Sequence, residues 1–179
     1  PSVIFYYFNT FFYPVNLGIN QHWIITTPTF NNFYLPLLYD ATILAFIIWI
    51  GLLCFKKSKV MFKAYIFFTV WLLLGLAFHS QIAPLDMTVA DRWFYMTMVG
   101  LLGILGVGFE LLPKNKFFYK QILLVLLIIS ICLISIRTII RNTDWQNAIK
   151  LYTHDIAIDD NFDIENSLGW EYIQSQQYD

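Results

Sequence analysis

LPLLYDATILAFIIWIGLLCF, residues Leu35 to Phe55, carries a single charge, Asp40, in 21 positions. A helix needs about 20 mostly apolar residues to cross a hydrocarbon core of roughly 30 Å, so this stretch reads as a membrane span. Three further stretches read the same way: Met61–Phe78, Trp93–Leu112 and Gln121–Ile140. Lys63 near one end of the second is tolerated by snorkelling toward the headgroups. The fold class expected is therefore an all-α, polytopic membrane helix bundle of four spans.

The lysines orient it. Lys56, Lys57 and Lys59, with Lys63 just inside the second span, cluster where the first and second spans meet, and Lys114, Lys116 and Lys120 lie between the third and fourth. By the positive-inside rule both short loops face the cytoplasm. An even number of spans then places residues 1–34, the loop His79–Arg92 and everything after Arg137 on the opposite face. The tail holds most of the acidic residues, from Asp144 to Asp179.

At 58 % hydrophobic and 13 % charged, the chain departs from a soluble average of about 25 % charged. Its helices must pack through shape and occasional polar contacts. A net charge of −1 with no arginine-rich or aromatic-basic patch argues against nucleic acid. Cys54 and Cys132 both fall inside spans, which disfavours a disulfide or a zinc site, and no metal site is expected. The absence of an initial Met or cleavable signal makes the chain read as a piece of a longer protein.

Three regions follow. Residues 1–34 form an aromatic-rich interfacial or external segment, since such rings favour the headgroup level. Pro14, Gly18, Pro28 and Pro36 break it into an external loop, with Pro36 and Asp40 suited to a helix start. Residues 35–140 form the four-span region. Gly100, Gly103, Gly106 and Gly108 in the third span suit close helix packing, or a groove for a lipid tail. The fourth span, almost purely Leu and Ile, reads as a peripheral anchor.

Residues 141–179 change to the texture of a water-soluble helix pair. Asp144 can cap a helix with Ala148, Leu151 and Tyr152 at helical spacing, and a turn follows at Asp159–Asn161. In NSLGWEYIQSQQYD (Asn166–Asp179), Leu168, Gly169 and Tyr172 stand at the spacing of the first helix of a tetratricopeptide repeat, with Tyr178 and Asp179 opening the second. The small Gly169 would allow close packing there. The tail is thus expected to start a C-terminal helical repeat domain.

No complete catalytic constellation is present: no nucleophile–base pair, no glycine-rich phosphate loop, no histidines at ligand spacing. His22, His79 and His154 stand isolated. The one concentrated group is the external loop HSQIAPLDMTVADR (His79–Arg92), with His79, Asp86, Asp91 and Arg92. It reads as interfacial anchoring with an Asp–Arg pair at a helix start, or as an anion site, because an Arg fork matches phosphate bidentately.

Three blocks in order carry a family resemblance: FFYPVNLGINQHW (Phe11–Trp23), APLDMTVADRWFYMTMVGL (Ala83–Leu101), and RNTDWQNAIKLY (Arg141–Tyr152) running into NSLGWEY (Asn166–Tyr172). They resemble the C-terminal half of membrane-embedded C-type glycosyltransferases with tetratricopeptide repeats, notably the transmembrane, repeat-containing protein O-mannosyltransferases and their bacterial homologues. The second block departs in carrying Asp91 where Glu is common and Trp93 where Tyr is frequent.

The resemblance implies transfer of a sugar from a polyprenyl-phosphate donor to a protein or glycan acceptor on the non-cytoplasmic face. It implies Arg92 for the carrier phosphate, Asp91 orienting it, and His79 as a further phosphate ligand. The family's catalytic carboxylates lie in its first external loop, upstream of Pro1, so no catalytic residue is expected within the chain. Neither is a resident cofactor; a divalent metal is left open. The partners implied are membrane lipid, the polyprenyl-phosphate carrier and a protein bound through the repeats. The location implied is the plasma or inner membrane of a bacterium, or the endoplasmic reticulum of a eukaryote. The rival reading is a non-catalytic, membrane-anchored repeat scaffold in an envelope or membrane complex. A transporter ranks third, as ionisable residues are lacking at mid-membrane depth.

Overall fold

The computed structural model describes residues 1–23, 25–81, 85, 87–112 and 117–175, with the backbone alone at 117–120. Asp86, Lys114, Lys116, Tyr178 and Asp179 lie outside the described residues, as does the side chain of Lys120. In chain order the helices are α1 (Ser2–Phe12), α2 (Leu35–Lys57), α3 (Lys59–His79), α4 (Phe94–Glu110), α5 (Phe117–Asn142), α6 (Ala148–Ile156) and α7 (Phe162–Gln174). Among the described residues, extended pairing is confined to one antiparallel bridge, Gln21 with Val89.

Four helical stretches are long and apolar enough to cross a bilayer: Phe30–Lys57, Lys59–His79, Asp91–Glu110 and Gln121–Gln146. The first begins before the expected Leu35. There a π turn (Phe30–Tyr34) is capped reciprocally, Asn32 N donating to Thr29 Oγ1 at 3.3 Å and Thr29 N to Asn32 Oδ1 at 2.6 Å. That box satisfies backbone donors the helix start would leave open. Pro36 falls where the π turn passes into α2, within the first turn of the α-helical part. Asp40, expected at the start, lies deeper, and its Oδ1 is buried without a partner among the described residues. The turn between α2 and α3 is one residue long, Ser58 in extended conformation. Lys56 and Lys57 occupy the last turn of α2, where positive charge meets the negative end of the helix dipole.

Close approach of α3 and α4 organises the bundle. A methyl group on Gly100 would lie 2.5 Å from the backbone nitrogen of Leu72 and 2.8 Å from the Phe68 carbonyl oxygen. One on Gly103 would enter the ring of Phe68. The absent Cβ is thus what lets the two backbones meet, the packing device expected in lipid. Among the described residues Gly106 and Gly108 do not share it: nothing lies within 4 Å of a Cβ at Gly106, and only Ile50 Cδ1, at 3.9 Å, near one at Gly108. Tyr65 joins α3 to α2 by donating to the Ile47 carbonyl from a buried position.

The apolar core runs through Ile47, Ile50, Tyr65, Leu72, Phe94 and Ile104, and α1 reaches into it with Tyr7 and Phe8. Tyr7 stacks on Phe94, rings 5.3 Å apart and nearly parallel. α5 instead has nearly all its described apolar side chains, from Ile122 to Ile140, exposed.

The tail folds as two packed helices. Asn147, rather than Asp144, caps α6, its Oδ1 accepting from Ile149 N at 2.8 Å, because Asp144 starts a separate 3-10 turn (Asp144–Gln146). Asn161 caps α7, accepting from Ile164 N at 3.1 Å, after the expected turn. Gly169 faces open space, with nothing within 4 Å of a Cβ there, so the close packing expected at this glycine is not made among the described residues.

Candidate functional site

A 3-10 turn (Asp91–Trp93) leads into α4 and carries two of the candidate residues. Their side chains part. Asp91 Oδ1 accepts from the Tyr6 hydroxyl at 2.7 Å, while Arg92 is exposed and its Nη2 lies 3.8 Å from Met87 Sδ. No ion pair joins Asp91 to Arg92 within 4 Å, so the pairing expected at this helix start is not formed. The reason is positional. Adjacent residues on a 3-10 turn project about 120° apart, so one faces inward while the other faces out.

Arg92 and His79 do converge. Both line an open cavity of about 710 Å³ at the end of α3 and the start of α4, walled by Phe78, Trp93, Tyr95 and Met96. His79 is held from two sides. Its Nδ1 lies 2.8 Å from the Gly75 carbonyl, and its ring stacks on Trp93 at 5.5 Å. The cavity therefore offers one guanidinium and one imidazole on an apolar, aromatic wall at the boundary of a span. That suits an amphipathic ligand with a phosphate-like head.

Asp91 belongs to a different network, on the inner side of the same turn. Trp23 Nε1 donates to Gln21 Oε1 at 3.1 Å, Gln21 Nε2 to the Tyr6 oxygen at 3.1 Å, and Tyr6 in turn to Asp91. Burial first, then the Asp91 charge, pushes the Tyr6 phenol well above its ordinary value, so it stays a donor at neutral pH. Burial likewise pushes Tyr7 up to about 12. The backbone of Gln21 pairs with Thr88 and Val89, and Thr88 Oγ1 both accepts from Trp23 N and donates to Trp23 O. Gln81, in left-handed conformation at φ 59°, donates through Nε2 to the carbonyls of Met87 and Thr88. The loop before Asp91 is thus held by amide side chains.

The segment Pro14–Trp23 acts as a strap between this loop and the tail. Ile19 N donates to Asp155 Oδ2 at 2.8 Å, and His22 N to Asp159 Oδ2 at 2.6 Å. His22 Nε2 sits 2.9 Å from Asp163 Oδ2, off the line of a hydrogen bond. Arg137, at the end of α5, donates to the carbonyls of Pro14 and Val15. Behind the strap Arg141, 7 % exposed, donates to Asp155 Oδ1 at 2.8 Å and to Asp144 Oδ2 at 3.3 Å, with His154 Nδ1 3.0 Å from its Nη1. Asp155 is 1 % exposed and fully used by Arg141, Ile19 and His154.

Sequence reasoning missed Tyr6, Gln21, Gln81, Arg141 and Asp155. Their partners lie up to 136 residues away. The available signal was the type of residue, a charged Arg–Asp set at the end of a span. Among the described residues no group of three or more His, Cys, Asp or Glu side chains could hold a metal ion. Comparison with protein-family models, with curated proteins and with solved structures found no match.

Proposed function

We propose that the chain is the carrier-binding part of an integral membrane glycosyltransferase. It takes a polyprenyl-phosphate-linked sugar, mannose in the family its motifs resemble, for transfer to a protein or glycan acceptor on the non-cytoplasmic face. The observation that carries this reading is the cavity shared by Arg92 and His79 at the mouth of α3 and α4. The guanidinium supplies a planar, permanently charged fork for phosphate, and the apolar wall beside it suits an isoprenoid chain. Asp91 serves by anchoring the start of α4 through Tyr6, leaving Arg92 to the ligand. Lysine placement supports an outer location for both the cavity and the tail. The carboxylate base such transfer needs is assigned to no residue here.

A titration with polyprenyl phosphate tests the reading. Arg92→Lys in the full protein keeps the charge and loses the two-point match, so binding should weaken while folded yield survives. Unchanged affinity in folded Arg92→Ala protein ends the proposal. The rival reading is a repeat scaffold, favoured by α7, where Phe162, Trp170 and Ile173 stand 77, 59 and 54 % exposed. Capture of a partner protein that needs Trp170 but not Arg92, with no carrier binding, would select it.

A further inference from the structure

The lysine-bearing end of the bundle, opposite Arg92, carries a second cavity of about 480 Å³ between α2 and α3. Its walls follow one stripe of each helix: Leu44, Ile48 and Leu52 on α2, Phe62, Tyr65 and Thr69 on α3. Spacings of three and four residues keep each stripe on one face. The α2 side chains are exposed, so the groove opens outward from the bundle at membrane depth. Its lining extends on α2 from Leu44 to Phe55, a rise of about 16 Å at 1.5 Å per residue. That is close to half of a hydrocarbon core of roughly 30 Å, the depth of one leaflet.

Continuing the stripes by one step reaches the lysines. Lys56 is four residues beyond Leu52, and Lys59 three before Phe62, so both stand at the mouth of the groove, and both are exposed. Lys57 is engaged elsewhere, donating to the Glu110 carbonyl. Among the described residues Lys150 is the only lysine with a carboxylate within 4 Å. Residues 56–63 hold four lysines and no acid.

We propose that this groove binds one anionic phospholipid, its phosphate between Lys56 and Lys59 and one acyl chain along the α2–α3 stripes. Basic clusters directly beside a span attract anionic headgroups, and the groove matches a tail of the same leaflet in depth. A second copy of the chain fits worse. Copies inserted in one orientation would bring their lysine turns together, like charge against like. The site is independent of the carrier cavity.

The test uses the full chain reconstituted in vesicles of equal phosphatidylglycerol and phosphatidylcholine, then native mass spectrometry of the extracted protein. The wild type should retain one phosphatidylglycerol in preference to phosphatidylcholine. Lys56→Gln combined with Lys59→Gln should lower that preference by roughly 10- to 30-fold, as expected for two basic side chains at an anionic surface. Thr69→Phe, or Leu52→Trp as a second filler at an exposed position, should lower retention of both lipids. Equal retention by the wild type, an unchanged preference in the double lysine variant, or a chain dimer in place of bound lipid would each overturn the proposal. Circular dichroism and size-exclusion profiles matching the wild type select the variants that are scored.

Discussion

Asp155 shows how much one side chain can hold at the membrane surface. Its two oxygens take Arg141 from α5 and the Ile19 amide from the strap, in a site almost closed to water. Removing one partner of a buried ion pair leaves the other charge desolvated and uncompensated, a cost of about 3–5 kcal/mol. Asp155→Ala should therefore lower stability in detergent by that order, and hydrogen exchange should rise first at Ile19 and His22. A thermal melt and exchange profile like the wild type would show that the pair is dispensable. By contrast, Arg92→Ala should leave both readouts near the wild type, because Arg92 is exposed and its one polar contact among the described residues is the 3.8 Å approach to Met87 Sδ.

Between elements, what matters is where a helix can approach another's backbone. Gly100→Ala would press a methyl against the Leu72 backbone, and overpacking of this kind costs about 1–3 kcal/mol. Gly106→Ala should leave stability unchanged or raise it by up to about 1 kcal/mol, since among the described residues nothing lies within 4 Å of a Cβ there and alanine favours helix over glycine. The pair of thermal unfolding curves separates a steric role from glycine's backbone freedom, because both residues sit in α4. If both variants melt alike, close packing of α3 on α4 is not what the glycines provide. In the tail Gly169→Leu should likewise leave the α6–α7 pair intact, its Cβ position being open. A loss of helicity in that variant would mean that a further element packs there.

At the scale of the molecule, the strap joins the two halves: Arg137 grips its start and the α6–α7 carboxylates hold its end, while Gln21 pairs with the loop that leads to Arg92. The tail, the strap and the cavity at Arg92 and His79 therefore share one face, whichever side of the membrane that is. The positive-inside rule predicts the side from the lysine clusters, placing them in the cytoplasm. With Cys54 and Cys132 replaced, a cysteine at Ser58 should resist an impermeant thiol reagent in intact cells, and one at Asn147 should react. The reverse pattern would invert the orientation and remove the case for external transfer.

Hydropathy adds up residue by residue, so the four spans could be read from composition alone, their ends lying near those of the helical stretches and furthest from them at Ile140 against Gln146. Charge counting needs only order along the chain, so the lysine clusters yield an orientation from sequence alone, which the thiol labelling tests. Helix caps were partly legible: Asn161 lies in the turn that was expected, whereas Asn147 caps α6 because Asp144 starts a separate 3-10 turn, where its carboxylate meets Arg141 and Lys150. Arg92 and His79 could be nominated from their place in the loop between the second and third spans. That they share one cavity depends on the end of α3 meeting the start of α4, and that Asp91 turns from Arg92 to Tyr6 depends on α1 closing over that start. The strap was beyond reach for the same reason. A hydrogen bond between Ile19 and Asp155 spans 136 residues, and only the packed bundle brings its two ends within 2.8 Å.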